Sequence, residues 1–187
     1  MPPRREKRAI YEKRGPVMGS MRQAACLLTL LAGSGSAQWQ RFDARQTGVA
    51  PASFPREMLA AHNAARARVK VAPLAWSVRL AAVAQNWADT LLARREFAHR
   101  PNSRYGENLF EVTGAAATPG QVVDDWASEA RDYDYRSNQC SAVCGHYTQI
   151  VWVDTREVGC AVARGGGREV WACEYDPPGN VVGKRPY

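Results

Sequence analysis

A chain of 187 residues with 45% hydrophobic and 23% charged residues has single-domain length and ordinary apolar content, which excludes a disordered tail and a membrane bundle. Its net charge of +7 is uneven: residues 1–37 hold seven Lys/Arg against Glu6 and Glu12, leaving +2 from 18 basic and 16 acidic residues over 38–187. No basic patch with interleaved aromatics remains there, so a nucleic-acid partner is excluded.

Residues 1–37 read as an N-terminal extension plus signal peptide. Arg22 precedes an apolar run from Ala24 to Ala32, and Gly35 and Ala37 occupy small-residue positions for a cut before Gln38. The run is far too short to span a bilayer, which needs about 20 residues, so no transmembrane segment is expected. Residues 1–17 have no role in such a leader, which makes Met18 or Met21 a more natural start. Cys26 lies within the run and leaves with it.

Residues 38–53 read as a flexible polar lead-in to the domain expected over 54–187. A first helix is predicted over 54–69, with Pro55 near its start and Met58, Leu59, His62 and Arg66 at helical spacing. Ser77 can cap a second helix reaching about Arg94, with Leu80, Val83, Trp87 and Leu91 on one face. Thr118-Pro119 supplies an N-cap followed by proline at the first helical position, opening a third helix with Val122, Val123, Trp126 and Ala130 inward. A tyrosine-rich loop and a cysteine loop follow. In "CGHYTQIVW" (144–152), Tyr147, Gln149 and Val151 alternate with Thr148, Ile150 and Trp152, which predicts a strand beginning at His146. Helices followed by a run of antiparallel strands give an α+β layered domain.

Four cysteines remain after Cys26, an even number, and export favours two disulfides. Gly166–Gly167 suits a type I′ hairpin turn. Its register sets Cys160 opposite Cys173 at a non-hydrogen-bonded pair, where Cα atoms stand about 4.5 Å apart. Cys140 and Cys144 are then left for each other. The rival is a metal site, because C-x3-C-x-H places Cys140, Cys144 and His146 close together, although structural zinc needs a fourth ligand.

Five stretches, in order, carry a family resemblance: "AHNAAR" (61–66), "FAHRPNSRYGENLF" (97–110), "WASEARDYDY" (126–135), "GHYTQIVWVDT" (145–155) and "VWACEYDPPGNV" (170–181). Together they resemble the CAP superfamily of cysteine-rich secretory, antigen 5 and pathogenesis-related 1 proteins, and the terminal "KRPY" is similar to the plant pathogenesis-related 1 branch. The resemblance implies a three-layer α-β-α sandwich with a mostly antiparallel central sheet. It also implies a secreted protein of defence, lipid or sterol binding, or extracellular signalling, with an extracellular protein as a further candidate partner. The cleft it implies is lined by His99, Glu107, Glu129 and His146, while His62 is left as a helix or packing residue.

Two neutral imidazoles suit zinc or another divalent metal, with carboxylates orienting them, so His99 and His146 are the candidate metal ligands. Two histidines alone make an open site. A metal-assisted hydrolase or protease with His146 as base and Glu129 as orienter is the enzymatic alternative. It lacks a nucleophile, since neither Ser103 nor Ser128 sits in a glycine-framed elbow, and no H-E-x-x-H motif is present. The structural alternative is a buried hydrogen-bond network joining the layers. Trp76, Trp87, Trp126, Trp152 and Trp171 read as core. The tail resembles a plant signalling peptide freed by cleavage after Asp176, giving Pro177–Tyr187; otherwise it packs across the sheet. Three departures from the family pattern stand out: Arg100 for a serine, Glu174 for an asparagine, and no cysteine pair near Arg95 and Gly165, where a third disulfide would fall.

Overall fold

The computed structural model describes residues 52–187. The leader, the cut before Gln38, Cys26 and nearly all of the lead-in lie outside the described residues. In chain order the elements are α1 (Phe54–Arg68), β1 (Ala75–Trp76), α2 (Val78–Arg94), β2 (Gly106–Thr113), α3 (Pro119–Ala127), a 3-10 segment (Ser128–Asp132), β3 (Tyr133–Asp134), β4 (Gln139–Cys140), α4 (Gly145–Ile150), β5 (Glu157–Gly165) and β6 (Arg168–Asp176).

The main sheet has the order β1-β5-β6-β2. β5–β6 and β6–β2 are antiparallel, and the two-residue β1 runs parallel to β5. Gly166 and Gly167 take φ values of 58° and 75°, the left-handed pair a two-residue hairpin turn requires. Residues therefore oppose as Gly165–Arg168 down to Cys160–Cys173, whose Cα atoms are 4.1 Å apart and whose sulfurs are bonded. Cys140 is bonded to Cys144.

Strand alternation divides the core in two. Leu109, Ala161, Ala163, Val170 and Ala172 meet Ala84, Ala88 and Leu91 of α2. Phe110, Cys160, Val162, Trp171, Cys173 and Tyr175 face the opposite way, against α1, α3 and α4. Helix α2, sheet and the α1-α3-α4 group make the three layers of an α+β sandwich. The α2 layer sits close because Gly159 has no side chain: a Cβ there would stand 2.1 Å from the Ala81 backbone nitrogen.

Several sequence expectations need correction. The segment after Cys144 is helix α4, not a strand. All six of its residues are buried, so alternation there had no solvent face to specify. Its first amides bond to the Glu129 carboxylate, and its last carbonyls receive the guanidinium of Arg66, which donates to Ile150 O at 2.8 Å and Trp152 O at 2.9 Å. Tertiary partners for both ends thus override β-propensity. Helix α3 carries the expected cap, with Thr118 and Gln121 forming a reciprocal capping box. It ends at Ala127, however, and the tighter 3-10 turn that follows exposes Ala130 and buries Glu129. The buried face of α2 is Leu80, Ala84, Ala88 and Leu91, with Val83 and Trp87 half-buried at its margin. Leu59 and Trp76 are likewise half-buried.

Candidate functional site

The four motif residues form two His–Glu pairs. Glu129, turned inward by the 3-10 segment, accepts from His146 Nδ1 at 2.8 Å, from the His146 amide at 3.0 Å and from the Tyr147 amide at 3.3 Å. A carboxylate only accepts, so Nδ1 carries the proton and Nε2 presents its lone pair in the neutral ring. His146 is 1% exposed, its ring stacks on Trp126 at 6.1 Å, and its Nε2 has no hydrogen-bond partner among the described residues.

The second pair stands at the start of β2. His99 Nδ1 donates to Glu107 Oε1 at 2.6 Å, and the Arg100 amide donates to the same oxygen at 3.1 Å. Glu107 Oε2 is buried without a hydrogen-bond partner among the described residues. Consecutive residues link the two pairs: Glu107 holds His99, and Asn108 Nδ2 donates to His146 O at 3.1 Å. Gly106 lets α4 approach this point, since a Cβ there would overlap the Gln149 side chain at 2.1 Å.

Behind the pairs runs a buried chain of polar contacts that periodicity does not reveal. His62 Nδ1 donates to Met58 O at 2.8 Å, so His62 Nε2 accepts from the Tyr175 hydroxyl, also at 2.8 Å. The Tyr175 hydroxyl ties α1 to β6 in this way, while Asn108 Nδ2 ties β2 to the His146 carbonyl. Burial pulls His62 down to about 4 and pushes Tyr175 well up, which keeps both neutral. Burial also lowers Arg66 to about 10, leaving it charged at neutral pH for its bonds to Ala72, Ile150, Trp152 and Thr155 carbonyls. Arg66 and His62 stood out only as polar residues at apolar helical spacing. The contributions of Asn108 and Trp126 to the site had no separate sequence signal.

Glu174 opposes Glu107 across β6–β2 and is fully buried on the α2 side. Arg100 rims a cavity beside His99. Arg95 and Gly165, where the third family disulfide would fall, line a separate cavity of about 650 Å³ with Leu92 and Phe97. Ser128 Oγ donates to Asp125 O at 2.7 Å, and Ser103 Oγ donates to Tyr105 O at 3.3 Å.

A metal can be weighed against this geometry. The cluster of His62, Cys160 and Cys173 brings three candidate ligand atoms together among the described residues, but its sulfurs are in a disulfide and both His62 nitrogens are spent. The His–Glu pairs fit better. Each imidazole is oriented by a carboxylate through Nδ1, and the buried Nε2 of His146 carries a lone pair without a partner, of the kind a metal satisfies.

The tail does not cross the sheet. It lies along α4 and the β3–β4 turn: Gly179 N donates to Gln149 Oε1 at 3.0 Å, Asn180 Nδ2 to Gly145 O at 2.8 Å and Val153 N to Pro186 O at 2.6 Å. Tyr187 stacks on Tyr135 at 5.0 Å, and its hydroxyl bonds that of Tyr147 at 2.9 Å.

The three-layer α+β sandwich is that of a CAP protein, and the chain belongs to the CAP family, the cysteine-rich secretory protein family, whose profile matches residues 59–175. It is 47% identical over 135 residues to pathogenesis-related protein 1A of Nicotiana tabacum, covering 71% of this chain and 80% of that one. It is 41% identical to pathogenesis-related protein 1 of Arabidopsis thaliana, covering 71% and 82% respectively. Among solved structures it is similar to venom allergen-like protein 4 of Schistosoma mansoni, with a TM-score of 0.62 and 27% identity, covering 73% of this chain and 94% of that one. Among the described residues no helix is long and apolar enough to cross a membrane.

Proposed function

We propose that this pathogenesis-related 1-type protein is extracellular, serves defence, and works by binding, with a divalent cation such as zinc as a ligand of His99 and His146. The observation that carries the reading is His146 Nε2, a buried lone pair left without a partner on a ring locked by Glu129 and Trp126. A purely structural network would be expected to satisfy that nitrogen. Two disulfides are consistent with an oxidising compartment. A metal bound by two histidines keeps open positions, which suits capture of an oxygen-bearing ligand such as a sterol hydroxyl. The enzymatic alternative would use the same histidines and depends on a nucleophile, or a metal-bound water supplying one.

Calorimetric titration of the full chain with zinc near neutral pH tests the proposal, beside His146→Ala and His99→Ala. The parent should bind and both variants should lose most of the heat. His99 is partly exposed, so His99→Ala keeps the test decisive if His146→Ala fails to fold. No heat with the parent, or heat unchanged in folded His99→Ala, overturns it. The tail-peptide reading faces the contacts that hold residues 177–187 in the fold. Recovery of free Pro177–Tyr187 from culture fluid by mass spectrometry would revive it.

A further inference from the structure

The loop between α2 and β2 encloses a cavity that the His–Glu pairs do not use. Its volume is about 420 Å³, and it is lined by Val83 and the consecutive residues Arg100 to Tyr105. The loop is held in shape. The Arg100 amide is fixed to Glu107, Asn102 takes φ 56°, and the Tyr105 amide donates to Ser103 Oγ at 3.1 Å.

Tyr105 is the platform. Its ring is buried, and the guanidiniums of Arg104 and Arg79 lie 4.9 Å and 5.3 Å from its centroid. Both donate to its hydroxyl, Arg104 through Nη2 at 2.6 Å and Arg79 through Nη1. Arg79 is neutralised by Asp176 at 2.9 Å and Glu157 at 3.3 Å, so it braces the platform and adds no net charge. Arg100 and Arg104 differ from it: among the described residues neither pairs with a carboxylate, and the cavity lining contains no acid. Arg104 spends one of its five N–H donors on Tyr105, and the Arg100 guanidinium has no hydrogen-bond partner among the described residues.

We propose that this cavity binds a phosphomonoester, gripped by the Arg100 and Arg104 forks with the Asn102 amide beside them. Two guanidinium forks on one group are best matched by several acceptor oxygens and more than one charge, and a phosphomonoester offers three terminal oxygens and a charge of about −2. A carboxylate offers two oxygens and a single charge, and a sulfate ester carries a single charge. The cavity lies in the range of small-molecule sites, about 300–1,000 Å³. It therefore has room for the carrier of the phosphate against Val83 and Pro101 as well. A soluble sugar phosphate and the headgroup of phosphatidic acid share this chemistry.

The test is an NMR titration of the ¹⁵N-labelled full chain with glucose 6-phosphate, using glucose as the uncharged control. In parallel, phosphatidylcholine vesicles with and without phosphatidic acid are floated with the protein. Saturable shifts of the residue 100–105 amides are expected, with Kd on the order of 1 mM or tighter, or flotation dependent on phosphatidic acid. Arg100→Gln should weaken whichever interaction appears by at least about fivefold, and Arg100→Gln/Arg104→Gln should abolish it. Arg100→Gln decides the matter, because its guanidinium makes no hydrogen bond or ion pair among the described residues; an unchanged melting curve shows that the fold persists. His146→Ala should leave this binding unchanged, which separates the outcome from that of the zinc titration. Saturation by the sugar phosphate identifies a soluble source, and flotation alone identifies a lipid headgroup. Neither response, or a response that survives the double substitution, overturns the proposal.

Discussion

Replacing Glu129 with alanine removes a carboxylate that, among the described residues, takes three hydrogen bonds, from His146 Nδ1 at 2.8 Å and from the amides of His146 and Tyr147 at 3.0 and 3.3 Å. His146 is 1% exposed, so water cannot readily replace the lost oxygens. A buried donor left unpaired costs about 1–3 kcal/mol. With the long Tyr147 contact counting least, the total comes to about 3–6 kcal/mol, a large part of the roughly 5–15 kcal/mol that holds a domain folded. Glu129→Gln keeps one acceptor oxygen and should lose about half as much. Urea unfolding followed by tryptophan fluorescence and far-ultraviolet circular dichroism measures both, with an unchanged m-value expected. If Glu129→Ala stays within about 1 kcal/mol of the parent, or Glu129→Gln does equal damage, the carboxylate is not what holds α4 and the reasoning fails.

The His62 imidazole falls from 6.5 to about 4 on burial, so between these values the unfolded chain binds a proton that the folded chain refuses. Its contribution is complete above pH 6.5 and is lost as pH falls to about 4, roughly 3 kcal/mol in all. His62→Gln should flatten the stability–pH curve over that interval, and parallel curves would refute the assignment. Gly159→Ala would place a Cβ 2.1 Å from Ala81 N and 2.5 Å from Ser77 O, both backbone atoms. Its loss should reach or exceed the upper end of the 1–3 kcal/mol typical of overpacking, seen as a lowered melting temperature or insoluble protein. Cys160→Ala/Cys173→Ala opens a bridge of sequence separation 13 and should cost about 3 kcal/mol in the same urea assay.

The local rules read best where the chain acts on itself. The Gly166–Gly167 turn fixes the register of nine facing pairs, Cys160–Cys173 among them, because a two-residue turn admits one pairing. The Thr118–Gln121 box is equally local. Residues 145–150 were illegible because their conformation is decided elsewhere, by Glu129 at one end and Arg66 at the other. The candidate site followed the same division. Motif resemblance named its four polar residues, but the arrangement as two pairs joined through Glu107 and Asn108 depends on where β2 meets α4. The half-buried places of Val83 and Trp87 have a simpler cause: alanines 84 and 88 let α2 settle on the sheet, which turns the larger side chains to its margin.

Strand β6 occupies residues 168–176, yet β2 pairs with nothing else in the sheet, and β1 reaches β6 only through β5. A ribosome emits the chain from the other end. The first three helices and β2 therefore leave the exit tunnel before the strand with which β2 pairs exists, and their sheet-facing apolar surfaces wait for it. The hairpin β5–β6 then closes quickly because its partners are adjacent, and the longer-range pairings with β1 and β2 follow it. Translation that stalls before Arg168 leaves β2 without its partner and β5 with only the two-residue β1 beside it, so the quality of the nascent protein waits on β6.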